Sequence, residues 1–297
     1  METMHIFGTY QHLFGVHSSA VRDPSSGPAR ALLMLSAGIL PCAGPMRLHA
    51  RLARSLAQAG IPSFRFDLSG IGESLGVGSY RTSLERAAHE ASQAMDLLAG
   101  EYGYREFLIF GLCSGADDAI PAALDDGRVV GLSLVDACGY RTSRYSLRML
   151  RRVYVPKVLS LTKWGHFVAN KLKVRGREPK EPSTMSRGFD IREFPDRNQA
   201  EEQILVLLNR GVHMQFVYTA GVIHYYSYAS QFFDMFPRLR SRSSVEVSYC
   251  PRFDHVLMLE EDRAELVERV TDWASRICST RAEQASEASP RSALQAA

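Results

Sequence analysis

Two hydrophobic rhythms alternate along this chain. Short runs that are apolar almost throughout suit strands buried on both faces, and they occur at Ala31–Ser36, Ser63–Phe66, Phe107–Phe110 and Val129–Val135. Between them lie segments with one apolar stripe at helical spacing. Leu48, Leu52, Leu56 and Ala59 mark a helix that Pro45 opens and Gly60 stops. Thr82-x-x-Glu85 is a capping box opening a second helix to about Ala99. A third follows Cys113 and is bent by Pro121. This alternation predicts an α/β fold, a mostly parallel sheet with helices on both faces. Residues 5–20 have short alternating segments and predict an antiparallel pair at one edge.

From Tyr140 to about Gln199 the alternation stops. Between Arg141 and Arg192 about fourteen Lys/Arg stand against about three acids. Apolar residues run through the same stretch, among them Val153, Val155, Val158, Leu159, Leu161, Trp164, Phe167 and Val168. Together they predict a basic helical insert over 140–199 that interrupts a core of 1–139 and 200–278. The alternation then returns: a helix over Glu201–Asn209, a strand over His213–Tyr218, a helix over Ser227–Phe236, a strand over Val245–Tyr249 and a final helix over Glu261–Ile277. The tail, 279–297, has no apolar periodicity and is expected to be disordered.

Composition narrows the classes. The net charge of +3 gives no reason to expect nucleic acid as a partner. Five cysteines without CxxC spacing suggest neither a zinc site nor a disulfide framework. No apolar run reaches transmembrane length, and Met1–Tyr10 lacks the look of a leader, so a cytoplasmic location is expected.

The chemistry gathers at Gly111-Leu112-Cys113-Ser114-Gly115, which directly follows the strand Phe107–Phe110. This is the G-x-S-x-G nucleophile elbow with cysteine at its centre. The turn would hold the Cys113 sulfur over a helix N-terminus, which favours a thiolate. Ser114 is a poor alternative nucleophile, because it would point into the helix turn. A plainer reading, a glycine-rich turn around an inert cysteine, is weakened by Asp254-His255 downstream, since nucleophile, acid, histidine is a chain order such sites use.

These features, with the Ala37-Gly38 loop and Arg65-Phe66-Asp67-Leu68-Ser69-Gly70-Ile71-Gly72-Glu73-Ser74, resemble α/β-hydrolases of the serine aminopeptidase-like type over nearly all of residues 10–277. The resemblance implies Cys113 as nucleophile and His255 as general base. It implies an oxyanion hole from the backbone N–H groups of Ser114 and of Ile39, with Leu40 the alternative. It also implies a lid at the basic insert. The family's usual acid position, after the strand ending at Tyr218, reads Thr219-Ala220-Gly221-Val222-Ile223-His224 without a carboxylate. The other position used in this fold holds Asp136, expected to complete a Cys-His-Asp triad; a Cys-His dyad stays open. Asp67 is expected to brace its own loop, and Asp234 lies in a helix. The run His224, Tyr225, Tyr226 and Tyr228 could line a pocket or start a half-buried helix.

The activity expected is acyl processing through an acyl-cysteine, with an ester or thioester hydrolysed or its acyl group passed to an alcohol or amine. The basic insert would suit coenzyme A, an acyl carrier protein or a membrane surface, or simply be a solvated cap. No cofactor and no metal are expected, and a homodimer stays open. The missing carboxylate after Tyr218 also leaves open a non-catalytic protein of the same fold that binds an acyl chain or a partner.

Overall fold

The computed structural model describes residues 1–21, 30–76, 82–154 and 194–293. Among them eight strands form one sheet in the order β1-β2-β4-β3-β5-β6-β7-β8. The strands are β1 (Glu2–Phe7), β2 (Leu13–Ser18), β3 (Arg30–Leu35), β4 (Ser63–Phe66), β5 (Glu106–Leu112), β6 (Val129–Val135), β7 (His213–Thr219) and β8 (Val245–Cys250). The β1–β2 and β2–β4 pairs are antiparallel. All other pairs are parallel. The central strands β3 to β6 are buried along their whole length apart from one residue, Glu106. That explains why they read as continuous apolar runs, whereas the edge strand β1 alternates.

Helices cover both faces. In chain order they are α1 (Leu48–Gln58), α2 (Ser83–Tyr102), α3 (Ser114–Asp125), α4 (Ser143–Met149), α5 (Arg197–Asn209), α6 (Gln231–Met235) and α7 (Glu260–Ala293). Two apolar clusters result. One lies under α2, α3 and α5 and includes Ile109, Leu134 and Phe216. The other lies under α1 and α7 and includes Phe110, Val135 and Trp273. The Thr82 capping box forms with both of its hydrogen bonds. Pro121 sits inside α3 without ending it.

Several boundaries differ from the sequence reading. Pro45–Arg47 is a separate single turn, because Met46 and Arg47 adopt positive φ before α1 begins. Helix α5 starts at Arg197, since Asp196 caps it and makes a reciprocal box with Gln199. Helix α6 is shorter than Ser227–Phe236; Tyr226 and Ser227 are tied into turns by Tyr226 N–H to Val222 O and Ser227 N–H to Gln231 Oε1. Helix α7 continues past Ile277 to Ala293, into the stretch expected to be disordered. Ala, Glu, Gln and Arg there are strong intrinsic helix formers, so helix does not require an apolar stripe. Of the basic insert, α4 and the turn Leu150–Tyr154 are described. The Lys171–Arg175 cluster and the apolar residues from Val155 to Val168 lie outside the described residues.

Candidate active site

The site is built at the carboxyl ends of β5, β6 and β7, where parallel sheets place their reactive groups. Cys113 follows β5 with φ 55° and ψ −122°, a strained conformation for a residue with a side chain. The glycines around it are required by contact. A Cβ on Gly111 would stand 2.2 Å from the Gly115 carbonyl oxygen, and one on Gly115 would stand 2.7 Å from the Leu35 carbonyl oxygen. Helix α3 begins at the next residue, so its N-terminus lies beside the thiol.

The ladder continues past the strand ends and fixes the neighbours. Cys113 N–H donates to Val135 O, and Asp136 N–H donates to Val217 O, both at 2.8 Å. Ala220 N–H donates to Phe253 O at 3.0 Å, which anchors the loop carrying His255. A Cβ on Gly221 would meet the His255 backbone nitrogen at 2.4 Å, so only glycine lets that loop seat against the end of β7.

Asp136 is 2% exposed and also holds positive φ, 52°. Its carboxylate accepts from Thr219 N–H and from Thr219 Oγ1–H, each at 2.7 Å. It also accepts from His255 Nδ1 at 2.8 Å. The buried charge is therefore fully partnered. His255 is raised to about 10, first by the Asp136 hydrogen bond and then by one to the Cys113 thiol, against the opposing effect of burial. The structure thus brings Cys113, Asp136 and His255 together. Sequence reasoning gave Thr219 no role and read Tyr225 only as a member of a run that could line a pocket. Thr219 stands where the usual acid would be and orients Asp136 instead. Tyr225 Oη–H donates to the Asp136 carbonyl oxygen at 3.0 Å. The absence of a carboxylate after Tyr218 was the one signal that pointed to this corner.

The remaining residues sort plainly. Ser114 Oγ accepts from Gly38 N–H, tying the elbow to the Ala37–Leu40 turn. Leu40 N–H is used inside that turn, donating to Ala37 O at 3.0 Å, and Ile39 is 80% exposed at its tip. Asp254 accepts from Val256 N–H and Met258 N–H and so shapes its own loop. Asp67 accepts from Glu73 N–H and Cys42 N–H. Asp234 pairs with Tyr228, Arg144 and Arg240 on the surface. Of the tyrosine run, Tyr226 stacks on Tyr218 with ring centroids 3.8 Å apart. Among the described residues, no group of His, Cys, Asp or Glu could hold a metal ion, and no helix is long and apolar enough to cross a membrane.

No protein-family model matches the chain, and no similar curated protein is found by sequence. Solved structures do match. An esterase of Pyrococcus furiosus superposes with a TM-score of 0.57 at 12% identity, covering 93% of this chain and 92% of that one. The fold is that of the α/β-hydrolases. An α/β serine hydrolase without lid from Xanthomonas campestris gives a TM-score of 0.53 at 11% identity, covering 93% and 94%. Naproxen esterase of Bacillus subtilis gives 0.51 at 16%, covering 92% and 90%. At these identities the likeness carries the α/β-hydrolase architecture, and the chemistry must be argued from the side chains.

Proposed function

We propose that this α/β-hydrolase-fold protein is an acyl-processing enzyme, a hydrolase of esters or thioesters that works through an acyl-cysteine on Cys113. The observation that carries the reading is the Asp136–His255 hydrogen bond at 2.8 Å, beside a cysteine held on a strained elbow. Asp136 fixes the imidazole by its Nδ1, leaving Nε2 toward the thiol. The sulfur attacks the acyl carbon, the alcohol or thiol leaves with a proton from His255, and a thioester to Cys113 remains. Backbone N–H groups of Ser114 and Ile39 are the donors proposed for the oxyanion. Water activated by His255 then hydrolyses the thioester, or an alcohol or amine takes the acyl group. Esterases among the structural neighbours favour a small ester over a carrier-bound acyl group. Arg141 and Arg144, at the start of the basic insert, are engaged with His224 O and with Asp234 and the Tyr228 ring.

The missing carboxylate after Tyr218 would suit a non-catalytic protein, and the hydrogen bonds from Thr219 and His255 to Asp136 support the catalytic reading over it. Intact mass spectrometry after incubation with p-nitrophenyl butyrate tests the proposal. An added butyryl mass on the wild type, absent from Cys113→Ala, is the expected result; no adduct on the folded wild type, without release of p-nitrophenol, would overturn it.

A further inference from the structure

From the end of β7 onward, two side chains reach back to Asp136 and grip different parts of it. Thr219 holds the carboxylate through its N–H and its hydroxyl. Tyr225 holds the backbone, its Oη–H donating to the Asp136 carbonyl oxygen at 3.0 Å. That carbonyl belongs to a residue with φ 52°, a left-handed conformation that residues with side chains seldom adopt. On the other side of the same Cα, Asp136 N–H is tied to Val217 O at 2.8 Å. Peptide units are planar, so pinning the N–H and the C=O of one residue fixes the direction in which its side chain leaves the chain.

Tyr225 is itself firmly placed. Its N–H donates to Val222 O at 3.0 Å, and its carbonyl oxygen accepts from Gln231 Nε2 at 2.5 Å. A Cβ on Gly139 would stand 2.7 Å from Cδ2 of the tyrosine ring, so the bare glycine backbone is what admits it. Burial, and then the Asp136 charge, push the phenol well above its ordinary value, so the hydroxyl keeps its proton and stays a donor. The hydroxyl also lies within electrostatic reach of Cys113. Its proton nevertheless goes to a backbone carbonyl, not to a reacting atom.

We propose that Tyr225 is a positioning residue, which holds the strained Asp136 backbone so that the carboxylate meets His255 Nδ1. It acts through Asp136 alone, so removing its hydroxyl changes proton transfer and leaves substrate binding as it is. Its effect on rate rests on the acyl-cysteine reading. Its effect on His255 does not, and is read on the resting protein.

Tyr225→Phe keeps the ring and its packing and removes the one hydroxyl. In single turnover of the full chain with p-nitrophenyl butyrate, the maximal acylation rate should fall about three- to tenfold, the worth of one hydrogen bond. The half-saturating ester concentration should stay within about twofold. In an Asp136→Ala background the same change should leave the rate alone, because no carboxylate remains to aim. An NMR titration should find the His255 imidazole of Tyr225→Phe lower than that of the wild type. A tyrosine that only packs would lower Tm and move none of these. A wild-type maximal rate in Tyr225→Phe, or the same fold loss in the Asp136→Ala background, would overturn the positioning role. If the wild type releases no p-nitrophenol, the acyl-cysteine reading fails by itself; if Asp136→Ala does not fold, the cycle is lost. In either case the His255 titration decides, and a value unchanged by Tyr225→Phe overturns the role.

Discussion

Among the described residues, two groupings of cysteine, histidine and aspartate behave oppositely. Cys113, His255 and Asp136 meet at the ends of β5 and β6. Cys42 lies against both Asp67 and His49 near the end of β4, and among the described residues neither His49 ring nitrogen has a hydrogen-bond partner. Asp67 and Asp136 are equally buried, at 1% and 2% exposure. Asp136 accepts its third hydrogen bond from the His255 imidazole, and His255 rises to about 10. Asp67 spends its oxygens on backbone N–H groups of Cys42 and Glu73. His49 packs edge-on to Phe110, is wholly buried, and falls to about 4 because burial penalises its charge. Burial and then Asp67 push the Cys42 thiol up to about 11. Residue types alone therefore do not make a reactive centre. What differs is which group the carboxylate faces and whether the sulfur stands on a strained turn beside a helix N-terminus.

Deleting each sulfur separates the two groupings most strongly. Cys113→Ala should lower ester turnover by at least about 10^3-fold, as loss of a nucleophile does, while Cys42→Ala should keep turnover within about twofold. Steady-state hydrolysis of p-nitrophenyl butyrate reads both. Equal losses would mean the groupings are not different in kind.

The carboxylates come next. Asp136→Asn should cost at least about tenfold in acylation rate, because an unoriented imidazole is a poor proton acceptor. The same change removes the largest cause of the raised His255 value, so an NMR titration should find that imidazole well below 10. Asp67→Asn should leave acylation rate nearly unchanged and lower Tm, since its partners are backbone N–H groups of two loops. An Asp136→Asn enzyme with wild-type acylation would point to a dyad.

A pH effect on stability follows with a definite sign. His255 titrates higher folded than the ordinary 6.5 of a free imidazole, reaching about 10. Its contribution is complete below about pH 6.5 and disappears as pH climbs through about 10. The Tm difference between wild type and Asp136→Asn should therefore narrow from pH 7 to pH 10.5. A difference that widens over that range would contradict the coupling.

The smallest expected effect concerns Thr219. Thr219→Val removes one of the three bonds to Asp136 and keeps the backbone donor, so a loss of roughly threefold to tenfold in acylation rate is expected. Thr219→Ser should recover most of it.

Much of this was legible in the residues, for identifiable reasons. Strands β3 to β6 stand out because double burial makes them uniformly apolar. The elbow stands out because its two glycines face carbonyl oxygens at contact distance. Asp136 and His255 were readable from their positions at the ends of β6 and β8. Thr219 was not, because its function depends on a side chain reaching sideways across the sheet, which no spacing along one strand encodes. The Cys42 grouping was equally hidden, as its three members come from separate segments. The early start of α5 was readable in principle from Asp196 and Gln199, a capping box beyond the apolar stripe. The length of α7 was missed because propensity alone, without periodicity, leaves a helix looking like a polar tail.

In the proposed cycle every acyl group passes through the sulfur of Cys113. Peptide mapping by tandem mass spectrometry, after brief reaction with p-nitrophenyl butyrate and acid quench, addresses it directly. A butyryl group is expected on the peptide fragment bearing Cys113, with Cys42 and Ser114 unmodified. A butyryl group on Ser114 or on Cys42 instead, with Cys113 unmodified, would contradict it.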